Sequence, residues 1–238
     1  MKKLTLLAFG LVLMLFTTSC NFTENITVNA DGSGKMLLAM DGSQLIALTG
    51  GQLGNKKVDS VFTFKKLLLE KKDSIAKLPK AQQDKLKALE NISIKTLLDP
   101  ENSVLTVDVL NDFKKANEIQ DVMQAFTEIA KMQNPGKAEG MGMLNNNSTV
   151  KYTYDGKKFK KTIEVLPAVK QDDAMSMYKS MLEGSSYKVN YTFPKKIKSV
   201  SNKSAVIGAD KKTLTVSYPL LDYLDNPASL GLDVEFEK

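Results

Sequence analysis

Residues 25–40, NITVNADGSGKMLLAM, read as two short strands around one turn. Ile26 and Val28 are separated by a polar Thr27, and Met36, Leu38 and Met40 alternate on the far side of the turn. A period of two puts successive side chains on opposite faces of a strand, so each run has one apolar face. Between them Asp31-Gly32-Ser33-Gly34 supplies residues that accept positive φ and bond their own backbone. A hairpin connects antiparallel neighbours, whereas a parallel pair needs a long crossover. The stretch therefore predicts antiparallel sheet.

The same unit recurs along the chain. Asp41-Gly42-Ser43 breaks the first hairpin, and a Gly-rich, weakly helical stretch runs to about Asn55. Phe64, Leu67, Leu68, Ile75 and Leu78 then fall on one helical face with Lys65, Lys66, Lys71 and Lys72 opposite. Pro79 ends that helix and opens another carrying Leu86 and Leu89. A second hairpin pairs Ile92, Ile94 and Thr96 with Val104–Leu110 around Asp99-Pro100-Glu101-Asn102. Asp112 suits an N-cap, followed by an amphipathic helix with Ile119, Val122, Met123, Phe126, Ile129 and Ala130 inward. A third hairpin sets Val150, Tyr152 and Tyr154 against Phe159–Val165 around Asp155-Gly156. Pro167 opens a further helix, with Val169, Tyr178, Met181 and Leu182 inward and Gly184 closing it. The last fifty residues read as strand throughout. Tyr187, Val189, Tyr191 and Phe193 share a face, Ala205–Gly208 and Leu214–Tyr218 flank a turn at Asp210-Lys211, and Leu232, Val234 and Phe236 alternate.

The expected class is α+β, with antiparallel sheets built from repeated hairpin-then-helix units, helices packed on one face, and an all-β C-terminal segment. The expected division is a signal peptide at 1–19 and a lipidated tether at 20–24. An α+β subdomain at 25–133, a linker or long loop at 134–148 and a second subdomain at 149–238 with a β-rich C-terminus complete it.

Composition narrows the chemistry. The chain has 238 residues, 33 basic against 27 acidic, with one Cys and neither His nor Trp. Every basic residue is Lys. Without His there is no Ser-His-Asp triad and no imidazole metal site. One Cys cannot make an intrachain disulfide or a Cys-rich cluster. Without Arg there is no bidentate fork for phosphate. No cofactor or metal is expected, and no catalytic residue is assigned.

The N-terminus reads MKKLTLLAFGLVLMLFTTSC. Lys2 and Lys3 precede an apolar run, Leu4–Phe16, and small residues lead to Cys20. This is the layout of a secretory signal. The run is shorter than the roughly 20 residues that cross a bilayer. Removal of residues 1–19 would leave 31 lysines against 27 carboxylates, a charge of +4.

Other spacings carry little. Ser176-x-x-Lys179 and Ser148-x-x-Lys151 match serine acyl enzymes, but no Ser-Asp-Asn or Lys-Thr-Gly partner follows. Tyr154-x-x-x-Lys158 and Tyr191-x-x-x-Lys195 lack the Gly-rich strand-to-helix turn of a dinucleotide fold. The glycines at 136, 140 and 142 lie in the expected linker. Asp31, Asp172-Asp173 and Asp222 with Asp225-Asn226 lack the spacing of a calcium loop and read as turn and helix residues. Two lysine clusters, Lys157, Lys158, Lys160 and Lys161, then Lys195, Lys196 and Lys198, are candidate contacts for anionic headgroups. Nucleic acid is not an expected partner.

The segment ending in Cys20 resembles the lipobox of bacterial lipoproteins, in which the Cys is diacylated and becomes the first residue. Phe16 and Thr17 depart from its usual Leu. The run Tyr191–Ile197, Asn202, Ala205, Ala209–Thr215, Tyr218-Pro219-Leu220, Asn226-Pro227 and Leu232–Phe236 resembles uncharacterised lipoproteins of Bacteroidota, as does the hairpin of residues 26–40. About fifty C-terminal residues are also similar to the β-rich domain of mycobacterial LppM-type lipoproteins. Neither resemblance supplies catalytic residues. Together they imply a cell-envelope lipoprotein, attached through palmitate on Cys20 to the outer membrane and facing the periplasm. It would act as a non-enzymatic binding or structural module, with lipid headgroups or another envelope protein as partner. The alternative is a lipid- or lipoprotein-handling factor with an apolar, methionine-lined cavity. A Ser/Lys hydrolase ranks below both.

Overall fold

The first hairpin forms as its alternation requires. In the computed structural model, which describes residues 21–43, 46, 56–119, 148–166 and 182–238, β1 (Asn21–Val28) pairs antiparallel with β2 (Gly34–Asp41). Asp31 holds the turn: its Oδ1 accepts from the Ser33 backbone N–H at 3.0 Å and the Ser33 hydroxyl at 2.6 Å. Gly32 sits at φ +83°, where a side chain is strained. Gly34 is required for a different reason. A Cβ there would run into the Thr27 carbonyl oxygen and the Phe113 ring.

Six further strands flank this hairpin, three on either side. On the β2 side come β5 (Val104–Phe113), β4 (Ile92–Asp99) and β3 (Val58–Thr63). On the β1 side lie β8 (Ser186–Thr192), β11 (Thr213–Pro219) and β10 (Val206–Ile207). The order is β10-β11-β8-β1-β2-β5-β4-β3. A second sheet has the order β6-β7-β12-β9, from β6 (Ser148–Tyr154), β7 (Lys158–Val165), β12 (Leu232–Phe236) and β9 (Ile197–Val200). Inner faces of both sheets meet in one core. Phe159 of β7 is edge-on to Tyr191 of β8 at 5.5 Å, and Phe193 is edge-on to Phe236 at 5.0 Å.

The helices among the described residues are short. α1 (Phe64–Glu70), α2 (Lys72–Ile75) and α3 (Lys80–Ala88) join β3 to β4, with Phe64, Leu86 and Leu89 in the core. α4 (Leu220–Asp225) follows β11 and buries Leu220 and Tyr223. The chain is α+β in the broad sense but mostly β.

Several expectations change. Residues 21–24 are not a tether: β1 begins at Asn21, and Phe22 and Glu24 are already buried. The two subdomains at 25–133 and 149–238 share one sheet, because β1 pairs with β8. That pair is parallel, Phe22 opposite Tyr187 and Ile26 opposite Tyr191, so the sheet is mixed. The apolar faces of two distant segments decide this pairing, which no local pattern reveals. Asp112 is not an N-cap but lies in β5 opposite Lys35. The C-terminal segment is not all strand, since α4 and the 3-10 turn Pro227–Leu230 interrupt it. β3 was not expected, because Val58–Thr63 lacks strict alternation. Ser148, at the end of the expected linker, opens β6. The signal segment, Cys20, the rest of the linker, the helix expected beyond Ile119 and the one opened by Pro167 up to Met181 lie outside the described residues.

Candidate functional site

Strand polarity sorts the large sheet into two ends. Asn21 lies beside Asp41 and Ser186, Asp41 beside Thr106, and Ser186 beside Pro219. Val28 lies at the opposite end, beside Gly34, with Thr192 and Thr213. Seven steps of about 3.3 Å separate the ends, roughly 23 Å. The Asn21 end gathers Asp41, Asp99, Glu101, Asp222 and Asp225 against Lys56 and Lys57.

The seven candidate lysines do not form one headgroup-facing patch. Lys161 is 5% exposed, with Nζ 5.6 Å from the centroid of the Tyr152 ring, so it is a core residue held by a cation–π contact. Lys158 bonds Glu235 at 2.8 Å, Lys198 reaches the same carboxylate at 3.6 Å, and Lys160 reaches Asp233 at 3.6 Å. Hydrogen bonding to Lys158 holds the Glu235 carboxyl below its usual range, and the same bond holds the Lys158 amine above its own. Three lysines are thereby committed to a β7–β12–β9 charge ladder. Lys157, Lys195 and Lys196 are in no ion pair among the described residues. They sit at the Val28 end: Phe236 donates to the Lys157 carbonyl, and Ile197, next to Lys196, donates to Lys211.

Among the described residues the catalytic spacings are not assembled. Ser148 is fully buried, while Lys151 is exposed and 3.6 Å from Glu164. They stand three apart on a strand, so they point to opposite faces. Tyr154 and Lys158 straddle a hairpin turn. Tyr191 is buried on the inner face and Lys195 is exposed beyond it. Asp31 is engaged in its turn, and the Ser33 hydroxyl holds its pKa down. Asp222 and Asp225 belong to α4, with Asn226 as its C-cap. Ser176, Lys179, Asp172, Asp173 and the glycines at 136, 140 and 142 lie outside the described residues. Among the described residues no group of three His, Cys, Asp or Glu side chains is placed to hold a metal ion.

A different polar cluster lies in the core. Glu24 is 2% exposed, and the Tyr187 hydroxyl donates to its Oε2 at 2.8 Å. Tyr187 stacks on Tyr223 at 4.0 Å, while Tyr191 lies four residues along β8 on the same inner face. Burial pushes the Tyr187 and Tyr191 hydroxyls well above their ordinary pKa, and the Glu24 charge pushes the same way. A buried carboxylate in an aromatic core is costly unless bonded. Its in-phase position with Phe22, Ile26 and Val28 is the sequence signal that sets it on the inner face. Asn111, on the inner face of β5, is also buried, and its Nδ2 has no hydrogen-bond partner.

The α1–α3 segment forms an open groove of about 400 Å³. Leu68, Ile75 and Leu86 contribute its apolar surface, and Lys65, Lys72 and Lys87 stand on its rim. Of the eleven methionines, only Met36 and Met40 are among the described residues, and neither lines this groove. No helix among the described residues is long and apolar enough to cross a membrane.

No family model matches the chain, and no curated protein does. Among solved structures, the folded domain of the LppM protein of Mycobacterium tuberculosis, determined by NMR, matches with a TM-score of 0.38 and 8% identity. The match covers 94% of this chain and 93% of that one. A likeness at that TM-score is too slight to say what this chain does.

Proposed function

We propose that this chain is an exported envelope lipoprotein, held in the membrane by acylation of Cys20, whose folded part is a binding module and not a catalyst. The observation that carries the reading is that β1 starts at Asn21, immediately after the acceptor Cys. Acyl chains on Cys20 would then seat the sheet directly at the bilayer, with its acid-bearing end inward and the Val28 end about 23 Å out. That distance exceeds two Debye lengths at physiological salt, so Lys157, Lys195 and Lys196 would face a partner away from the anchoring surface. The resemblance to lipoproteins of Bacteroidota supports placement in the outer membrane facing the periplasm. Metabolic labelling with a palmitate analogue tests the anchor. The native chain is expected to label and Cys20→Ser to lose the label; continued labelling of the Ser variant refutes the assignment.

A lipid-handling role is the second reading. The open groove, with its apolar floor and lysine rim, favours it. Native mass spectrometry is expected to show co-purified lipid if it holds, and a lipid-free spectrum counts against it.

A further inference from the structure

We propose that the outer edge of β3, with the lysines at both of its ends, docks an extended acidic segment of a partner protein, which adds to the large sheet as a ninth strand. The inference rests on reading the domain as a binding module, and it does not require the anchor.

An edge strand presents a row of unpaired N–H and C=O groups, and proteins blunt such edges with brevity, Lys, Pro or bulges. At one edge of the large sheet β10 is only two residues long and is followed by Gly208. β3, at the other edge, is six residues long. Its register to β4 is unbroken from Val58 opposite Leu98 to Thr63 opposite Ser93. It contains neither Lys nor Pro, and its single charge is Asp59. Among the described residues β3 has no backbone pairing beyond β4. Val58 and Val61 are 40% and 66% exposed, and nearby Leu69 is 67% exposed. The edge therefore offers main-chain bonds together with apolar contacts, which is what strand addition uses.

Charge selects the occupant. Residues 56–90 hold ten lysines against five carboxylates, a surplus of +5, while residues 20–238 as a whole carry only +4. Lys56 and Lys57 precede the strand, and Lys65 and Lys66 follow it. Lys57 is committed to Asp99 at 2.7 Å, whereas Lys56 and Lys65 are in no ion pair among the described residues. A second copy would bring like charges together. Antiparallel self-pairing sets Lys56 of one chain against Lys65 and Lys66 of the other, and parallel self-pairing sets Lys56 against Lys56. An extended segment with acids flanking an apolar centre satisfies both ends.

The test uses the full chain in detergent and a dye-labelled peptide with two glutamates at each end of an alternating Val-Thr centre. A lysine-ended peptide is the control. The glutamate peptide is expected to bind, and to slow hydrogen exchange at the amides of residues 58–63. Reversing both charges with Lys65→Glu and Lys66→Glu should weaken binding about tenfold or more. Val61→Lys, at an exposed position, should also weaken it by gating the edge. Equal binding of the lysine peptide overturns the proposal. So does protection confined to residues 64–90, or a dimer whose β3 amides are protected without peptide. Binding that persists in Cys20→Ser while labelling is lost separates this surface from the anchor.

Discussion

Tyr187→Phe removes one hydroxyl and keeps the ring, so the stacking on Tyr223 at 4.0 Å survives and only the bond to Glu24 is lost. That bond is 2.8 Å long and lies wholly in the core, with Glu24 2% and Tyr187 4% exposed. A hydrogen bond to a charged group contributes about 1.5–3 kcal/mol, and the loss leaves a buried carboxylate without that donor. We expect Tyr187→Phe to destabilise the fold by about 2–3 kcal/mol. The double variant Glu24→Leu with Tyr187→Phe removes both polar partners, and it should recover much of that loss. The coupling between the two sites is then expected at about 1–3 kcal/mol. Urea unfolding followed by tyrosine fluorescence measures each arm, and with no Trp in the chain that signal is unobscured. A Tyr187→Phe variant within about 0.5 kcal/mol of the parent, or a double variant as unstable as the single losses added together, would refute the idea that this bond secures the buried acid.

Three further outcomes follow from the same core and its edges. Gly34→Ala should lower the melting temperature by several degrees, because its Cβ meets a paired backbone carbonyl that cannot give way, whereas Gly231→Ala, with its nearest neighbours at 3.7 and 3.8 Å, should change it little. Asp99, held down to a pKa of about 2 by its bonds to Lys57 and Asn102, contributes stability that is full above the unfolded carboxylate value near 3.9 and is lost as pH falls toward 2. Melting curves between pH 5 and 2 should show this slope flattened in Asp99→Asn. Tyr187 and Tyr191 have raised folded values, so their contribution is complete below the unfolded tyrosine value near 10 and is lost as pH rises above it. Phenolate absorbance should therefore rise together with loss of circular dichroism above pH 10, and ionisation of both in a folded chain would contradict their burial.

The sequence by itself determined the local geometry. Alternation at Ile26–Met40, Ile92–Leu110, Val150–Val165 and Tyr187–Phe193 specified hairpins and inner faces, since a strand's side-chain period is a local property. It also marked Cys20 as the residue with a candidate chemical fate, from the apolar run before it and the absence of any other Cys. Tertiary structure alone decided which strands adjoin. The β1–β8 pair joins residues about 165 positions apart, and only matching apolar faces and free backbone edges select it. That pairing turned an expected tether into the central strand and buried Glu24 beneath Tyr187. It also divided one lysine run between the core, a charge ladder and an exposed end. Lys158, Lys160 and Lys161 are neighbours in sequence, yet two face solvent and acids on β12 while the third lies over an aromatic ring. A charge run counts lysines; the fold decides which of them any partner can reach.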